Sequence, residues 1–258
     1  MAFLALPAVS LLAACGGSST SSSGSITTPP PTVTYTTLRA FSDGAGVGRG
    51  VASDGTETVF IAPDIAEVVA IANQNDPVSD IQFSDFAVVD TRPTAVIRQG
   101  TITIEGQVAN VTIIADNGGE AGLIYLDIPG YGDAVFAAGS AFGTAPNGSF
   151  TYNGVHVVAD RFFGGSEDGT FSLTADFNNQ TFSYNGSTLS SSLSGSGTID
   201  TVNGRFSSNT LSSNVGSDTG TASMYGQLHG NSAQSVSGVF HTNESDPFYA
   251  GAFVGSRP

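Results

Sequence analysis

The sequence predicts a mainly all-β protein that ends in an eight-stranded antiparallel β-barrel. Three observations predict this fold class. Apolar and polar residues alternate with a period of two over much of the chain, Asx-Gly dipeptides interrupt the alternation, and only 11% of the residues are charged. With so few charges, the exposed faces must be built from Ser, Thr, Asn, Gln and Gly, which suits antiparallel sheets with one face in water.

The first element predicted along the chain is an export signal. Residues 2–14 form an apolar run that is shorter than the ~20 residues of a membrane span and has the length of a signal-peptide core. It ends in Leu12-Ala13-Ala14-Cys15. This ending resembles the bacterial lipobox, in which the cysteine receives diacylglycerol, although no Lys or Arg precedes the run. We therefore predict a lipoprotein signal peptide over 1–14 and lipidation at Cys15; the alternative is an ordinary signal peptide with an incidental cysteine.

A tether follows the predicted lipid site. Residues 15–34 are rich in Gly, Ser, Thr and Pro, a composition that forms flexible coil with one stiff, extended stretch at Pro29-Pro30-Pro31. Its expected role is to hold the folded part away from a membrane bound through Cys15. Because Cys15 is the only cysteine, no disulfide can form within the chain, and the fold must be held by packing.

Residues 35–140 are expected to form a small, mostly β domain. Strands are predicted near 101–105, 111–114 and 122–128, where β-branched and apolar residues are concentrated. A short helix is predicted over 64–72, because Asp64 can cap it and Ile65, Val68, Val69 and Ala72 share one face.

Residues 141–258 are expected to form the barrel. Phe171, Leu173, Ala175 and Phe177 alternate with polar residues, and Asx-Gly turns are predicted at Asn147, Asp168, Asn185 and Asn203. Eight strand segments result, near 149–158, 168–177, 180–187, 193–201, 203–211, 219–229, 235–243 and 248–256. Eight strands in hairpin order predict an up-and-down barrel. We expect apolar side chains inside and Ser, Thr and Asn outside, as in a water-soluble barrel rather than a membrane barrel.

The C-terminal segments resemble a known family. The run from Tyr225 to Phe240, the ending from Gly251 to Arg257, and the strand from Phe171 to Phe177 are similar to the barrel domain of transferrin-binding protein B and related surface lipoproteins. Gln234 and Ser237 depart from the family pattern. The resemblance implies a handle-like domain followed by one barrel, and a lipid-anchored protein of the outer membrane. It assigns no ligand residues, since the family binds through variable loops and the handle.

Several functional classes are disfavoured. The net charge is −15, and all basic residues are Arg. Such acidity argues against nucleic acid as a partner, because phosphate binding needs clustered cations. The glycine-rich stretch 44–50 lacks the spacing of a nucleotide-binding loop, and the Asp residues in Gly-rich turns do not form a calcium loop. No cofactor is expected.

The three histidines are not expected to form a metal site. A hairpin turn near 231–234 would set His229 near Val236 and His241 near Met224, so their side chains would not converge. His156 and Asp160, with one of many serines, could be imagined as a hydrolase triad. Chance alone predicts such sets in a chain so rich in Ser and Asp, so we do not expect an enzyme.

One loop is the best candidate for ligand binding. The segment 160–167 places Arg161 beside Phe162 and Phe163, and aromatic residues with Arg are enriched in binding hot spots. The alternative is that the two phenylalanines plug one end of the barrel. We therefore expect a lipid-anchored outer-membrane protein, facing the exterior, that binds a host or environmental protein or an iron source. A structural or adhesive envelope lipoprotein without a small ligand is the alternative.

Overall fold

The computed structural model describes residues 43–51, 57–62, 83–104, 106–130, 132–160, 165–243 and 249–258. Within these ranges the chain forms fifteen β-strands and a single-turn 3-10 helix at Phe83–Asp85, which confirms the predicted all-β class. None of the helical structure there is long and apolar enough to cross a bilayer. Cys15, the tether, the helix predicted over 64–72 and residues 161–163 lie outside the described residues.

Seven strands in the first half of the chain form one antiparallel sheet. They are β1 (Asp43–Val51), β2 (Glu57–Ala62), β3 (Ala87–Thr91), β4 (Ala95–Ile104), β5 (Gln107–Asp116), β6 (Ala121–Ile128) and β7 (Gly132–Gly139). Their order across the sheet is β2-β1-β7-β6-β5-β4-β3. The three strands predicted near 101–105, 111–114 and 122–128 correspond to parts of β4, β5 and β6.

The eight remaining strands form a closed barrel. They are β8 (Ser149–Asp160), β9 (Gly165–Asp176), β10 (Thr181–Ser187), β11 (Ser191–Asp200), β12 (Arg205–Val215), β13 (Asp218–His229), β14 (Ser235–Thr242) and β15 (Ala250–Ser256). Each strand pairs with its neighbours in sequence, and β15 pairs with β8 to close the cylinder. The predicted eight-stranded antiparallel barrel is confirmed.

The period-two pattern sets the inside of the barrel. On β9, Phe171, Leu173 and Ala175 are buried in the interior, whereas Ser172 and Thr174 between them are only partly buried. The interior cluster also receives large side chains from the other strands, among them Tyr152, Phe182, Tyr184, Leu193, Phe206, Leu211, Met224, Phe240 and Phe253. The predicted apolar filling is confirmed, since side chains fill the interior of an eight-stranded barrel.

One strip of the outer wall is apolar as well. Outward-facing residues of β8, β14 and β15, including Val155, Val157, Val239, Ala252 and Val254, form one buried cluster with the sheet. From the sheet, the cluster receives Ala45, Val47, Ala95, Ile97, Ile114, Ala121, Leu123, Tyr125, Val135 and Ala137. The expectation of Ser, Thr and Asn on the outside was therefore wrong at these apolar positions, because the sheet excludes water from them.

The other face of the sheet is apolar too. Val111, Ile113, Ile124 and other residues of the central strands form a third cluster there, against which Phe83 and Phe86 pack. The central strands β5, β6 and β7 are therefore buried on both faces, which explains their near-continuous apolar sequence.

Two of the four predicted Asx-Gly turns are wrong. Gly148 and Gly204 do adopt positive φ next to strand ends, at 97° and 71°. Gly169 and Gly186, however, lie within β9 and β10. A Cβ on Gly186 would come within 2.7 Å of both His156 Nδ1 and the Tyr184 hydroxyl. Glycine is required there for close packing rather than for a turn.

The two ends of the barrel differ. At the end that we call the closed end, the segment 140–148 runs beside the β13–β14 turn, with Phe142 pairing with Gly230 and packing against the interior cluster. Tyr152 inside the barrel donates a hydrogen bond of 2.7 Å to the Ala233 carbonyl. The other end, which we call the loop end, carries the β8–β9, β10–β11, β12–β13 and β14–β15 connections.

Polar contacts fix the sheet against the barrel near the closed end. The buried Asp116 accepts a 2.5 Å hydrogen bond from Ser235 and two of 2.9 Å from the backbone N–H groups of Glu120 and Ala121. Burial raises the pKa of this carboxyl, and the three donors only partly oppose that effect. The bond from Ser235 is thus a specific polar contact between the barrel and the sheet.

The closed end also carries two matching turns, which allow a stability test. Asp176 and Asp200 each accept two backbone N–H bonds from their own turn. The residue that ends each turn has positive φ, and it is Gly204 in one turn but Gln180, at 56°, in the other.

We expect Gln180→Gly to raise the free energy of unfolding by about 0.5–1 kcal/mol, because it relieves the left-handed strain of a residue with a Cβ. Urea denaturation of the two proteins measures the change. Gln180→Ala is the matched control and should leave stability near that of the native chain. A Gly variant no more stable than the Ala variant would contradict the strain argument.

Candidate functional site at the loop end

The predicted ligand-binding residues belong to the loop end. Arg161, Phe162 and Phe163 follow β8 directly, so they belong to the β8–β9 connection, but they lie outside the described residues and their role stays a prediction. The described residues at the base of this connection can be examined. Two acidic residues of β9, Glu167 and Asp168, lie there and contact different neighbouring elements.

Glu167 fixes the neighbouring β10–β11 turn. One carboxylate oxygen accepts hydrogen bonds from the Thr188 hydroxyl (2.7 Å), the Ser190 N–H (3.0 Å) and the Ser190 hydroxyl (2.8 Å). These bonds hold the pKa of Glu167 below its usual range. Between the two donors lies Leu189, whose side chain is 98% exposed. The turn therefore presents an apolar side chain to solvent from a hydrogen-bonded frame.

Asp168 connects the barrel to the sheet. Its carboxylate forms a 2.5 Å ion pair with Arg92 in the β3–β4 turn, and Arg92 also binds Asp90 at 2.8 Å. The hydrogen bond from Arg92 lowers the pKa of Asp90. All three side chains are partly exposed, so the pair contributes more to orientation than to stability. No sequence pattern predicted this contact, because Arg92 and Asp168 are about 75 residues apart.

His156 lies inside the barrel below the loop end. Its Nδ1 is hydrogen-bonded to the Tyr184 hydroxyl at 2.6 Å, and its ring stacks on Phe240 with the centroids 4.9 Å apart. Burial lowers the pKa of His156 to about 3, so the imidazole is neutral at pH 7. Its Nε2 is buried and has no hydrogen-bond partner among the described residues. The described contacts of this histidine are those of a lumen residue; they do not make it the base of the imagined triad.

The other two histidines point out of the barrel. His229 Nδ1 donates to the Ser140 carbonyl and its Nε2 accepts from Ser237, both at 2.8 Å. His241 stacks on Tyr225. The predicted register is wrong by one residue, since His229 pairs with Ser235 and His241 with Ser223. Within the described parts of the chain, no three His, Cys, Asp or Glu side chains are grouped as a metal site would require.

The fold defines a class of protein, in which an antiparallel sheet packs on the outside of a closed eight-stranded barrel. Among solved structures, the chain is similar to intact transferrin-binding protein B designated Ap-TbpB, with its N and C lobes. The TM-score is 0.50 and the identity 13%, over 83% of this chain and 46% of that chain. The chain thus spans less than half of the two-lobed protein. The resemblance seen in the sequence is confirmed at the level of the fold.

Two further structures are similar. One is the isotype 1 transferrin-binding protein B of serogroup B Neisseria meningitidis, with 13% identity over 83% of this chain and 43% of that chain and a TM-score of 0.49. The other is described as a surface lipoprotein, with 14% identity over 83% and 98% and a TM-score of 0.43. No protein-family model matches the sequence, and no curated protein matches it.

The buried histidines predict a pH dependence of stability. Burial lowers the pKa of His156 to about 3 and that of His229 to about 4, against 6.5 in the unfolded chain. Below pH 6.5 the unfolded chain therefore binds protons that the folded chain does not. Stability should be greatest well above pH 6.5 and should fall as the pH drops through 6.5 toward the folded pKa values, about 4 for His229 and about 3 for His156. Each histidine adds a slope of up to about 1.4 kcal/mol per pH unit.

His156→Phe tests this origin of the slope. The variant keeps a ring against Phe240 but removes one titrating group, so its slope between pH 6.5 and 5 should be smaller by up to about 1.4 kcal/mol per pH unit. Urea titrations at several pH values measure it, and the data at pH 7.5 report the separate cost of the lost bond to Tyr184. An unchanged slope would mean that His156 is not buried as a neutral group.

Proposed function

We propose that this protein is a lipid-anchored protein of the bacterial outer surface that binds a protein ligand through the loop end of its barrel. The observation that carries the proposal is the fold, a sheet packed on a closed eight-stranded barrel, which is also that of transferrin-binding protein B. The lipobox-like sequence ending in Cys15 and the Gly/Ser-rich tether support the anchor.

The path of the chain supports the loop end as the ligand-binding surface. The described fold begins at Asp43, which pairs with Gly139, and Gly139 packs beside His229 near the closed end. The last strand also ends there, since Ser256 pairs with Asn153 near the start of β8. The first described strand thus begins, and the last described strand ends, on the closed side, and we propose that the loop end is the surface that meets the ligand.

The chemistry of the loop end favours a protein partner with a basic surface. Described residues there include the exposed Leu189 and the carboxylates of Glu167 and Asp218, whereas that of Asp168 is already paired with Arg92. The whole chain has a net charge of −15, which accelerates association with a positively charged partner and repels an acidic one. A rigid barrel that holds short turns is a suitable scaffold for such recognition.

Lipidation is tested by metabolic labelling with a palmitate analogue. We expect the native chain to be labelled and Cys15→Ala to lose the label and leave the membrane fraction, because Cys15 is the only thiol. A serine variant at the neighbouring position, Gly16→Ser, is the control and should still be labelled. Label on the Cys15→Ala chain would remove the anchor from the proposal.

Surface exposure and ligand capture are tested together. Protease treatment of intact cells should degrade a surface protein and spare a periplasmic one. For capture, we expect Phe162→Ser with Phe163→Ser to weaken binding of the enriched partner by at least about 10-fold, since hot-spot aromatics each contribute ~2 kcal/mol. Val202→Ser, which removes an 82% exposed side chain at the closed end, is the matched control.

The outcomes separate the alternatives. Equal capture by both variants would place the ligand elsewhere than the β8–β9 connection. A lower thermal unfolding midpoint without weaker capture would support the plug alternative for the two phenylalanines. If the surface-exposed protein enriches no partner, the result would support the alternative of a structural or adhesive envelope lipoprotein.

A further inference from the structure

A groove lies where the sheet meets the outer wall of the barrel. On the sheet side it is lined by Gly44, Ala45 and Ala137 of β1 and β7. On the barrel side it is lined by residues of β11 to β14, which include Tyr225 and Gln227. Its volume is about 220 Å³, which is below the ~300–1,000 Å³ of sites that hold larger ligands. The groove therefore fits a small molecule or one protruding side chain.

A row of four polar residues crosses the barrel wall of the groove. Each is the direct partner of the next on the adjacent strand, and all four point outward, because their neighbours in the chain fill the barrel interior. In order from β11 to β14, the row consists of Asp200, Arg205, Gln227 and Ser237. All four line the groove. Since partners in such a row are about 5 Å apart, one ligand group can contact several of them.

Gln227 presents an acceptor to the groove, although only 4% of this residue is exposed. Its Nε2 donates a 2.8 Å hydrogen bond to the Asn203 carbonyl. This bond fixes the orientation of the amide, because a carbonyl oxygen can only accept. Gln227 Oε1 has no hydrogen-bond partner among the described residues, yet it is not fully enclosed. It therefore faces the groove and can accept a bond from a ligand.

Ser237 presents a second acceptor beside Gln227. Burial lowers the pKa of His229 to about 4, so its ring is neutral at pH 7. His229 Nδ1 carries the ring proton, because it is bonded to the Ser140 carbonyl. His229 Nε2 consequently accepts the only proton of the Ser237 hydroxyl, at 2.8 Å. The oxygen of Ser237 keeps its lone pairs for another donor.

Two adjacent acceptors select a group with two protons on one atom. A hydroxyl has a single proton and satisfies one acceptor only, and a carboxylate has none to donate. An ammonium has enough protons, but it would lie about 5 Å along the row from the guanidinium of Arg205, which repels it. The carboxylate of Asp200 does not offset this repulsion, since it lies beyond Arg205 and already accepts bonds within its own turn.

A primary carboxamide satisfies three members of the row at once. Its NH₂ group has one proton for Gln227 Oε1 and one for the Ser237 oxygen. Its carbonyl oxygen can accept from Arg205, whose guanidinium carries five N–H groups. The opposite wall of the groove carries only the small residues of β1 and β7, so a flat apolar body attached to the carboxamide is buried there.

We propose that the groove between the sheet and the barrel binds a small, flat molecule through a primary carboxamide, whose NH₂ group is hydrogen-bonded to Gln227 and Ser237 and whose oxygen is hydrogen-bonded to Arg205. The same group at the end of an Asn or Gln side chain of another protein is the other source of this chemistry. This inference stands apart from the lipid anchor and from the ligand of the loop end. A ligand of this size binds in about the millimolar range.

Benzamide is the test ligand, because it is small, flat and neutral and carries a primary carboxamide. The full chain with Cys15→Ala is labelled with ¹⁵N, and its amide spectra follow a titration with benzamide. We expect saturable shifts at the side-chain amide of Gln227 and at the backbone amides of Gly44 and Ser237. Thr174, on the opposite wall of the barrel, is the internal control and should show only a weak linear drift. The same linear drift at all four residues would overturn the proposal.

Three further ligands identify the group that is recognised. Acetophenone has a methyl group in place of the NH₂, and benzoate has a carboxylate. We expect both to bind at least about 10-fold more weakly than benzamide, since neither can donate to the two acceptors. If acetophenone binds as well as benzamide, the groove is merely apolar and carboxamide recognition is wrong. N-acetylglutamine methylamide distinguishes the two sources: tighter binding than benzamide assigns the groove to a protein side chain, and weaker binding assigns it to a free small molecule.

Substitutions locate the contacts. Arg205→Met should weaken benzamide binding by about 5-fold or more and strengthen the binding of benzylamine, whose ammonium no longer meets a like charge. Arg98→Met makes the same change of charge on β4, outside the groove, and should alter neither affinity. Unchanged affinities in Arg205→Met would contradict the proposed contacts. Gln227→Met should abolish the saturable response to benzamide; should that variant not fold, the comparison at the exposed Arg205 decides.

Discussion

The antiparallel pairing of β15 with β8 is the contact on which the remaining structure depends. Seven residue pairs, from Ala250 with Ala159 to Ser256 with Asn153, convert a meander of hairpins into a cylinder. The same pairing brings the outward valines and alanines of β8, β14 and β15 together into one apolar strip. The sheet can bury its own apolar face only against this strip. Attachment of the sheet therefore requires closure of the barrel.

Once the strip is covered, the barrel has two kinds of outer wall. The covered wall is rich in Val and Ala, and the opposite wall, on β9 to β12, exposes mainly Ser, Thr and Asn. Neutral hydroxyls and amides keep the free wall soluble without charge, which explains how a protein with 11% charged residues exposes so much β-structure. The carboxylates of β9 instead contact the β10–β11 turn and Arg92.

The sequence predicted the barrel because alternation is a local signal. Phe171 to Phe177 reveal an inside and an outside without any knowledge of their partners. The covered strip was missed, although Val155 to Ala159 and Ala250 to Val254 are apolar at nearly every position, the pattern of strands buried on both faces. Asn185-Gly186 was misassigned as a turn, because the sequence alone does not distinguish a glycine that makes room for a neighbouring side chain from one that lies in a turn.

The site itself was harder to foresee. Glu167 lies within the segment that the sequence singled out, but its role depends on Thr188 and Ser190, which only the register of β9 and β10 brings near it. The environment of His156 depends on three strands at once: β8, β10 and β14. No spacing within one segment predicts such a contact. The single cysteine after a short apolar run is, by contrast, a local pattern, and its lipidation stays a prediction.

The order of the strands also governs when the molecule can finish folding. Every other ladder of the barrel joins consecutive strands, but the closing ladder joins β8 to β15, with paired residues about a hundred positions apart. Contacts between such distant segments form slowly. Until β15 is available, the chain holds seven barrel strands with two unpaired edges and an uncovered apolar strip, and β-rich chains aggregate through such features. Pairing of β15 with β8 thus ends the period in which the chain is prone to aggregate.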